Sequence, residues 1–584
     1  MFVAVVHRGG AVAAERIARA LSPIDDQWRG PLVVTTSGDA ALASRGGSQA
    51  PVSAVAPTGA LQFGAPASDG SVGSGTRVAI GPDGIRVVRG VPCGQSVYLA
   101  HTDEFAVVAG RFDVVEAATR QAGCRGDVDR DWAAGTALLL RPEGHRTAQR
   151  GIERLVAGEE RDVFVGGSRR RFEGAPLAEQ AFSPDEAADA LWSTLRDAVR
   201  RQLAGARRVA ILLSGGLDSS GVLAALIAEA RGASIDELRV LTWHFSAAGN
   251  DDRPYVDALA KAYGIVPLPL LPRDASATAQ DGLILAGLPY PMLSASLEIQ
   301  ANAYAASLGA DVLVTGAGGD EVLAGPLQAL SQMLFRAPLA TVRHVLALEV
   351  PWPTTRRGRL LDYLVRPLLR PLLPPSLRLR GWLAREQGWV SWTGPYGRAY
   401  QERRGRAEAA RRMVPRNADE RLARVVSHSG FDTYADFRTQ LEYALPTHAA
   451  SGVRRVDPLL DAELVRFLAS LPPKLLQDGA LHRGLWRRAL RGHVPDFVRL
   501  RRTKGDLDGA FGLSQPYSSA EFQEFIDVPR ELVALGIVNA TPWVTYRDAV
   551  RNAPDDEKRG AALGFIYAAC TVEHWLRARK RALR

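Results

Sequence analysis

The sequence predicts an α/β protein: a β-rich amino-terminal domain over residues 1–175, then a parallel-sheet α/β domain with extra helices over residues 183–584. Two patterns and one boundary carry this prediction. As far as Arg171, short β-rich runs alternate with turn clusters, as in an antiparallel domain. Beyond Ser183, apolar strands alternate with helical stretches, which implies a parallel sheet covered by its own crossover helices. Between the two, Ser183-Pro184-Asp185-Glu186 reads as a helix start, with Ser at the N-cap, Pro at the first helical position and Glu at the third.

The strands of the first part are expected in FVAVV, PLVVTT, RVAIGPDGIRVVRG, SVYLAHTDEFAVVAG and TALLLRPEG, with Gly, Ser and Pro punctuating the series. Residues 43–76, rich in Gly, Ser and Ala, read as a loose loop. An Arg-rich helix over 184–204 leads into the apolar run Val209–Leu213. A helix over 220–231, a strand over 239–245, a helix over 253–263 and a strand over 266–270 follow. Val312–Val314 is a further strand, and beyond residue 326 the pattern is helical with irregular joints. Residues 355–385 are dense in Arg, Leu and Pro, and there is no internal repeat.

At roughly 100–200 residues per domain, a chain of 584 residues makes two or three domains. Its 46% hydrophobic and 23% charged content excludes disorder as the main state. Cys93, Cys124 and Cys570 are too few and too far apart for a disulfide framework or a Cys-rich zinc site. The net charge of +9 comes almost wholly from arginine, since only Lys261, Lys474, Lys504, Lys558 and Lys580 are lysines. Codon usage explains that bias better than nucleic-acid binding, because 63 acids nearly balance 72 bases. The start, MFVAVVH, has no basic n-region or cleavage site. No apolar run reaches the roughly 18–20 residues of a membrane span. A cytoplasmic protein with neither nucleic acid nor membrane as partner is the expectation.

Chemistry concentrates first in Ser214-Gly215-Gly216-Leu217-Asp218-Ser219-Ser220, which follows the buried strand VAILL and precedes the helix GVLAALIAEA. A glycine-rich turn at a helix N-terminus presents free backbone N–H groups and the positive end of the helix dipole to an anion. No Gly-Lys-Ser/Thr follows, so this is not a Walker loop. A capped turn would account for a lone Gly-Gly pair, but the whole string after a buried strand points to phosphate. A second strand end carries Thr315-Gly316-Ala317-Gly318-Gly319-Asp320-Glu321. Asp218 and Asp320, at the carboxyl ends of two parallel strands, suit magnesium, which takes few carboxylates beside phosphate oxygens.

The first string is similar to the pyrophosphate loop (PP-loop) of ATP pyrophosphatases, which cleave ATP between the α- and β-phosphates and adenylate a substrate. The second resembles the Gly-x-Gly-x-Asp-Glu motif of the asparagine synthetase branch. Arg455-Val456-Asp457-Pro458-Leu459-Leu460-Asp461 resembles a third segment of that branch, with one extra residue before Pro458. Arg483 and Arg487 follow the spacing of its Lys-x-x-x-Arg, and Lys504 matches the lysine that contacts the α-phosphate and developing oxyanion. The resemblance covers residues 183–510 and implies ATP and Mg2+ as cofactors. It assigns ATP to Leu213, Ser214, Gly215, Gly216, Asp218, Ser219, Ser220, Thr242, Gly316, Gly318 and Arg483, the metal to Asp218 and Asp320, and catalysis to Lys504.

Where the family carries a class II glutaminase, an Ntn-type α+β sandwich, this chain has its β-rich amino-terminal domain. That activity needs a cysteine directly after the initiator Met; residue 2 is Phe2, and without a thiol there is no thiolate chemistry. The resemblance therefore implies a degenerate glutaminase-like domain over 1–175. After Gly316, asparagine synthetases carry Glu and β-lactam synthetases Tyr, where this chain has Ala317. That leaves the general base to be found elsewhere: Glu442, beside Tyr443, is the candidate, with His448 and His482 as further options. A dead first domain, this second motif and a Lys504-Gly505-Asp506 tail are most like the lasso peptide cyclases. These join the N-terminal amine of a leader-free precursor peptide to an Asp or Glu side chain. The implied partners are that peptide, a leader peptidase and a precursor-recognition protein. The alternatives are a β-lactam synthetase-like or glutamine-independent asparagine synthetase-like enzyme, and, from another class, an RNA-modifying adenylase or an ATP-binding regulator.

Overall fold

The computed structural model describes residues 2–9, 13–17, 32–37, 40–45, 60–63, 76–81, 84–90, 97–121, 123–124, 126–139, 145–156, 158–171, 177–230, 235–244, 252–271, 295–323, 327–335, 337–350, 354–374, 376–377, 391–410, 451–503, 527–553 and 557–582.

Among the described residues, eleven antiparallel strands build the amino-terminal part. One sheet takes the order β2-β3-β1-β8-β7-β9 and the other β11-β10-β6-β5-β4. The first comprises β1 (Phe2–His7), β2 (Leu32–Ser37), β3 (Ala40–Arg45), β7 (Tyr98–His101), β8 (Phe105–Ala109) and β9 (Glu153–Arg154). The second comprises β4 (Ala60–Phe63), β5 (Thr76–Gly81), β6 (Gly84–Arg89), β10 (Glu160–Phe164) and β11 (Gly167–Arg171). Residues 43–76, expected as a loop, hold the end of β3 and all of β4, which pairs Leu61 with Val78. Gly and Ser runs on both sides hid a strand only four residues long.

Alternation along these strands makes two cores. Ala4 and Val6 of β1, with Ala106 and Val108 of β8, face Val78, Ile80, Ile85 and Val87 across the gap between the sheets. Val3, Val5, Phe105 and Val107 point the other way, into a helical layer. That layer includes Phe112–Gln121 and Arg130–Ala137, and also Trp392, Trp543, Tyr567 and Trp575 from far along the chain. The long helix Glu557–Ala582 thus shares its core with the first sheet.

The second architecture is a five-stranded sheet ordered β14-β13-β12-β15-β16, parallel throughout. Its strands are β12 (Arg208–Leu212), β13 (Glu237–Trp243), β14 (Pro267–Leu270), β15 (Val312–Val314) and β16 (Arg454–Val456). Val209 and Ile211 of β12 enter a core with helices Pro184–Gln202 and Leu217–Ala230; Ala210 enters another with helix Ala295–Ser307. Burial on both faces explains the unbroken apolar run that announced β12 in the sequence. Ser183 caps its helix as expected: its hydroxyl accepts from the N–H of Glu186, whose carboxylate accepts from the N–H of Ser183. A smaller helical cluster over 327–377 closes around Leu330, Val345, Leu348, Tyr363 and Leu364. Among the described residues no helix is long and apolar enough to cross a membrane.

Candidate active site

From β12 the chain moves outward through β13 to β14, then returns to place β15 and β16 on the other side. The connections after β12 and β15 therefore leave adjacent strand ends in opposite directions. That is a topological switch point, where an open α/β sheet forms its crevice. Both glycine-rich motifs sit there.

The first loop is fastened by its own serines. Leu213, buried, donates its N–H to Leu241 O at 2.7 Å and extends the ladder of β12. Gly215 takes a left-handed φ of 68°. Ser214 Oγ accepts from Gly216 N at 3.3 Å and lies 3.0 Å from Ser219 Oγ, so these hydroxyls ring the turn at the start of helix Leu217–Ala230. Ser220 was expected among the ATP ligands. It is fully buried, and its hydroxyl donates to Gly216 O at 2.6 Å, so the side chain ties down the turn and does not face the crevice. Thr242, the penultimate residue of β13, is likewise buried.

The second loop presses directly on the first. A Cβ on Gly316 would stand 2.6 Å from Ser219 N, and one on Gly319 would stand 2.2 Å from Asp218 Cγ. Contacts this close admit hydrogen alone, which accounts for glycine at both places. Gly318, left-handed at φ 91°, precedes helix Gly319–Val322, which carries Asp320 and Glu321. The third motif supports this loop from beneath. Thr315 Oγ1 donates to Asp457 Oδ1 at 2.5 Å and accepts from Ala317 N at 3.0 Å, while Asp457 pairs with Arg455 at 2.7 Å.

Arg483 joins the loops electrostatically. It holds a left-handed φ of 61° ahead of helix Gly484–Ala489. Its Nη1 donates to both carboxylate oxygens of Asp218 at 2.7 Å, and its Nη2 donates to Asp320 Oδ1. Its Nε is buried without a hydrogen-bond partner. Burial alone would lower the Arg483 pKa, but the two carboxylates outweigh it and hold the guanidinium firmly charged. Burial, and then the charge of Asp320, push the Glu321 carboxyl up to about 8. Arg487 is pulled down to about 10 by burial and by repulsion from Arg483. An anion bound among these cations would relieve that repulsion.

Arg501 was missed in the sequence. Its guanidinium lies 3.9 Å over the Tyr255 ring, pairs with Asp252 at 2.7 Å and donates to Gly215 O at 3.4 Å. The only signal for it was its place in the basic run before Lys504. Glu442, Tyr443, His448 and Lys504 lie outside the described residues. His482 is buried, and its carbonyl accepts from Arg487 Nε at 2.8 Å.

The two aspartates fit magnesium. Both converge on one guanidinium, so they share a single cation position, and two carboxylates leave the remaining octahedral positions to phosphate and water oxygens. Among the described residues no group of three or more His, Cys, Asp or Glu could hold a metal. A magnesium ion here would complete its shell with water and with its substrate's oxygens.

The asparagine synthase family model matches residues 190–575, which span the sheet, both loops and the helical part. The chain belongs to the asparagine synthase family. No curated protein matches it. Among solved structures it is similar to the U34-tRNA thiolase NcsA from Methanococcus maripaludis with its [4Fe-4S] cluster. That match has 18% identity and a TM-score of 0.19, and covers 30% of this chain and 58% of that one. The chain thus spans less than two thirds of the thiolase.

Proposed function

We propose that this member of the asparagine synthase family is an ATP-dependent amide ligase of the AMP-forming kind, and that it closes an isopeptide macrolactam in a leader-free precursor peptide, as a lasso peptide cyclase does. The observation that carries the ligase reading is the packing of the two motif loops at the switch point, with Asp218 and Asp320 sharing one cation position. The finer reading rests on Ala317, which departs from both the asparagine and the β-lactam enzymes.

The chemistry follows from the problem a carboxylate poses. At neutral pH it is a poor electrophile. Attack of an Asp or Glu side-chain oxygen of the peptide on the α-phosphorus of ATP breaks the bond to the β-phosphate and releases pyrophosphate. The peptide's N-terminal amine then attacks the acyl carbon, loses a proton and expels AMP, for a net loss of one water. Magnesium held by Asp218 and Asp320 would supply charge neutralisation at the triphosphate. Helix Leu217–Ala230, which follows the 214–217 turn, turns the positive end of its dipole toward phosphate oxygens. Arg483 and Arg487 add positive charge on the same side. Lys504, three residues after the Arg501 that grips Gly215, stabilises the tetrahedral oxyanion, and a compact ammonium suits a charge that moves during reaction. Glu442 is the proposed base for the amine. The amino-terminal domain is read as a degenerate Ntn-type sandwich. The leader peptidase and the precursor-recognition protein are the proposed partners.

Mass spectrometry tests this. Leader-free peptide incubated with the protein and magnesium-ATP should lose the mass of one water and resist aminopeptidase. A peptide that stays linear while ATP is consumed contradicts the cyclase reading and leaves the ligase reading standing.

A further inference from the structure

Exposed apolar side chains are unevenly spread. Among the described residues, eight of the thirteen large exposed hydrophobics fall between Phe335 and Leu377. Half of these lie on one continuous helical run, Arg356–Leu372, in which Tyr363, Leu364 and Pro367 are buried on one side. Leu361, Val365, Leu369 and Leu372 recur every three to four residues on the other side, and Leu373 and Leu377 continue the exposed series. Leu372 is 78% exposed and Leu369 51%, values out of keeping with a helix that merely covers a core. Charge is one-sided too. Residues 354–377 carry Arg356, Arg357, Arg359, Arg366 and Arg370 against a single acid, Asp362. Arg366 pairs with Asp362, and Arg359 donates inward to Val345 O and Leu346 O, while Arg356 and Arg357 stand exposed at the head of the run.

We propose that this face rests on the surface of an anionic phospholipid bilayer, with the leucines seated at the headgroup–acyl boundary and the arginines among the headgroups. An excess of five arginines over one acid, with Arg356 and Arg357 exposed, calls for a negative partner, and a leucine stripe calls for an apolar one. An anionic bilayer surface supplies both without a matching shape. Sequence alone predicted no membrane partner, because nothing is long enough to span; lying on a membrane is a different demand from crossing it. The surface uses none of the residues placed at the nucleotide site.

Vesicle flotation of the full-length protein tests the proposal, with phosphatidylcholine vesicles compared against equal mixtures of phosphatidylcholine and phosphatidylglycerol. The protein should float with the mixed vesicles only, and added salt should release it. Leu369→Glu with Leu372→Glu should weaken binding by about tenfold or more. Arg356→Glu with Arg357→Glu, which leaves the leucines untouched and so guards against misfolding, should also weaken it. Equal binding to both vesicle types, no binding, or variants that float like the wild type would overturn the proposal. So would light scattering that shows a dimer dissolved by Leu372→Glu, since a second copy would then be the occupant.

Discussion

Arg483 is the residue on which the site balances. It is the shared partner of Asp218 and Asp320, and both of its terminal nitrogens are committed. Replacing it with methionine leaves two carboxylates facing each other in a largely enclosed position. The loss should be smaller than the roughly 3–5 kcal/mol of a fully buried pair, because Asp320 keeps a third of its side chain exposed. The direction of rescue is the sharper prediction. In Arg483→Met, millimolar magnesium without nucleotide should raise the melting temperature clearly more than in wild type, because the ion then enters the position that the guanidinium vacated. Calorimetric melting with and without magnesium checks it, and an equal response in both proteins contradicts a shared cation position.

At the scale of elements, the two loops form one object. The β12 and β15 strand ends would each make an ordinary turn alone, but Gly319 packs on the Asp218 side chain and Gly316 on the Ser219 backbone. Gly319→Ala should therefore act through Asp218. Overpacking of about 1–3 kcal/mol is expected in stability. Nucleotide affinity, read by isothermal titration, should fall by about tenfold or more as the carboxylate is displaced. Unchanged affinity would mean that Asp218 is not held by this contact. The sequence showed the first loop clearly because strand, turn and helix are local: β12, Gly215 and Leu217–Ala230 all fall within one short stretch. Arg483 was visible only through resemblance, since its bond to Asp218 spans 265 positions and no local pattern encodes that closure. Arg501 escaped notice for the same reason, with 286 positions between it and Gly215.

Across the whole molecule, the two ends of the chain share a core. Trp132 of the amino-terminal part stacks edge-on against Trp575 at 5.8 Å, and Phe112 meets the same ring at 6.3 Å. Arg579 pairs with Glu116 at 2.9 Å. Glu573, wholly buried, accepts from the N–H groups of Glu531 and Leu532 and pairs with Arg577, closing this layer with satisfied charge. Beyond residue 326 the sequence reads simply as helical, with no sign that helix Glu557–Ala582 packs on the first sheet, because a local pattern does not name its distant partner. Ending the chain at Asn552 strips Phe565, Tyr567, Cys570 and Trp575 from the core of the first sheet. The truncated protein should lose its cooperative melting transition, as followed by circular dichroism. A transition like that of the full chain would mean that the two ends fold independently.

The central claim is that the paired loops activate a carboxylate by adenylation. The most direct measurement is the nucleotide product formed when the protein turns over magnesium-ATP with a leader-free peptide. AMP and pyrophosphate should form in equal amounts, with Asp218→Asn and Asp320→Asn each reducing both by about 100-fold or more. Formation of ADP and phosphate, or AMP formation that survives both substitutions, would contradict it.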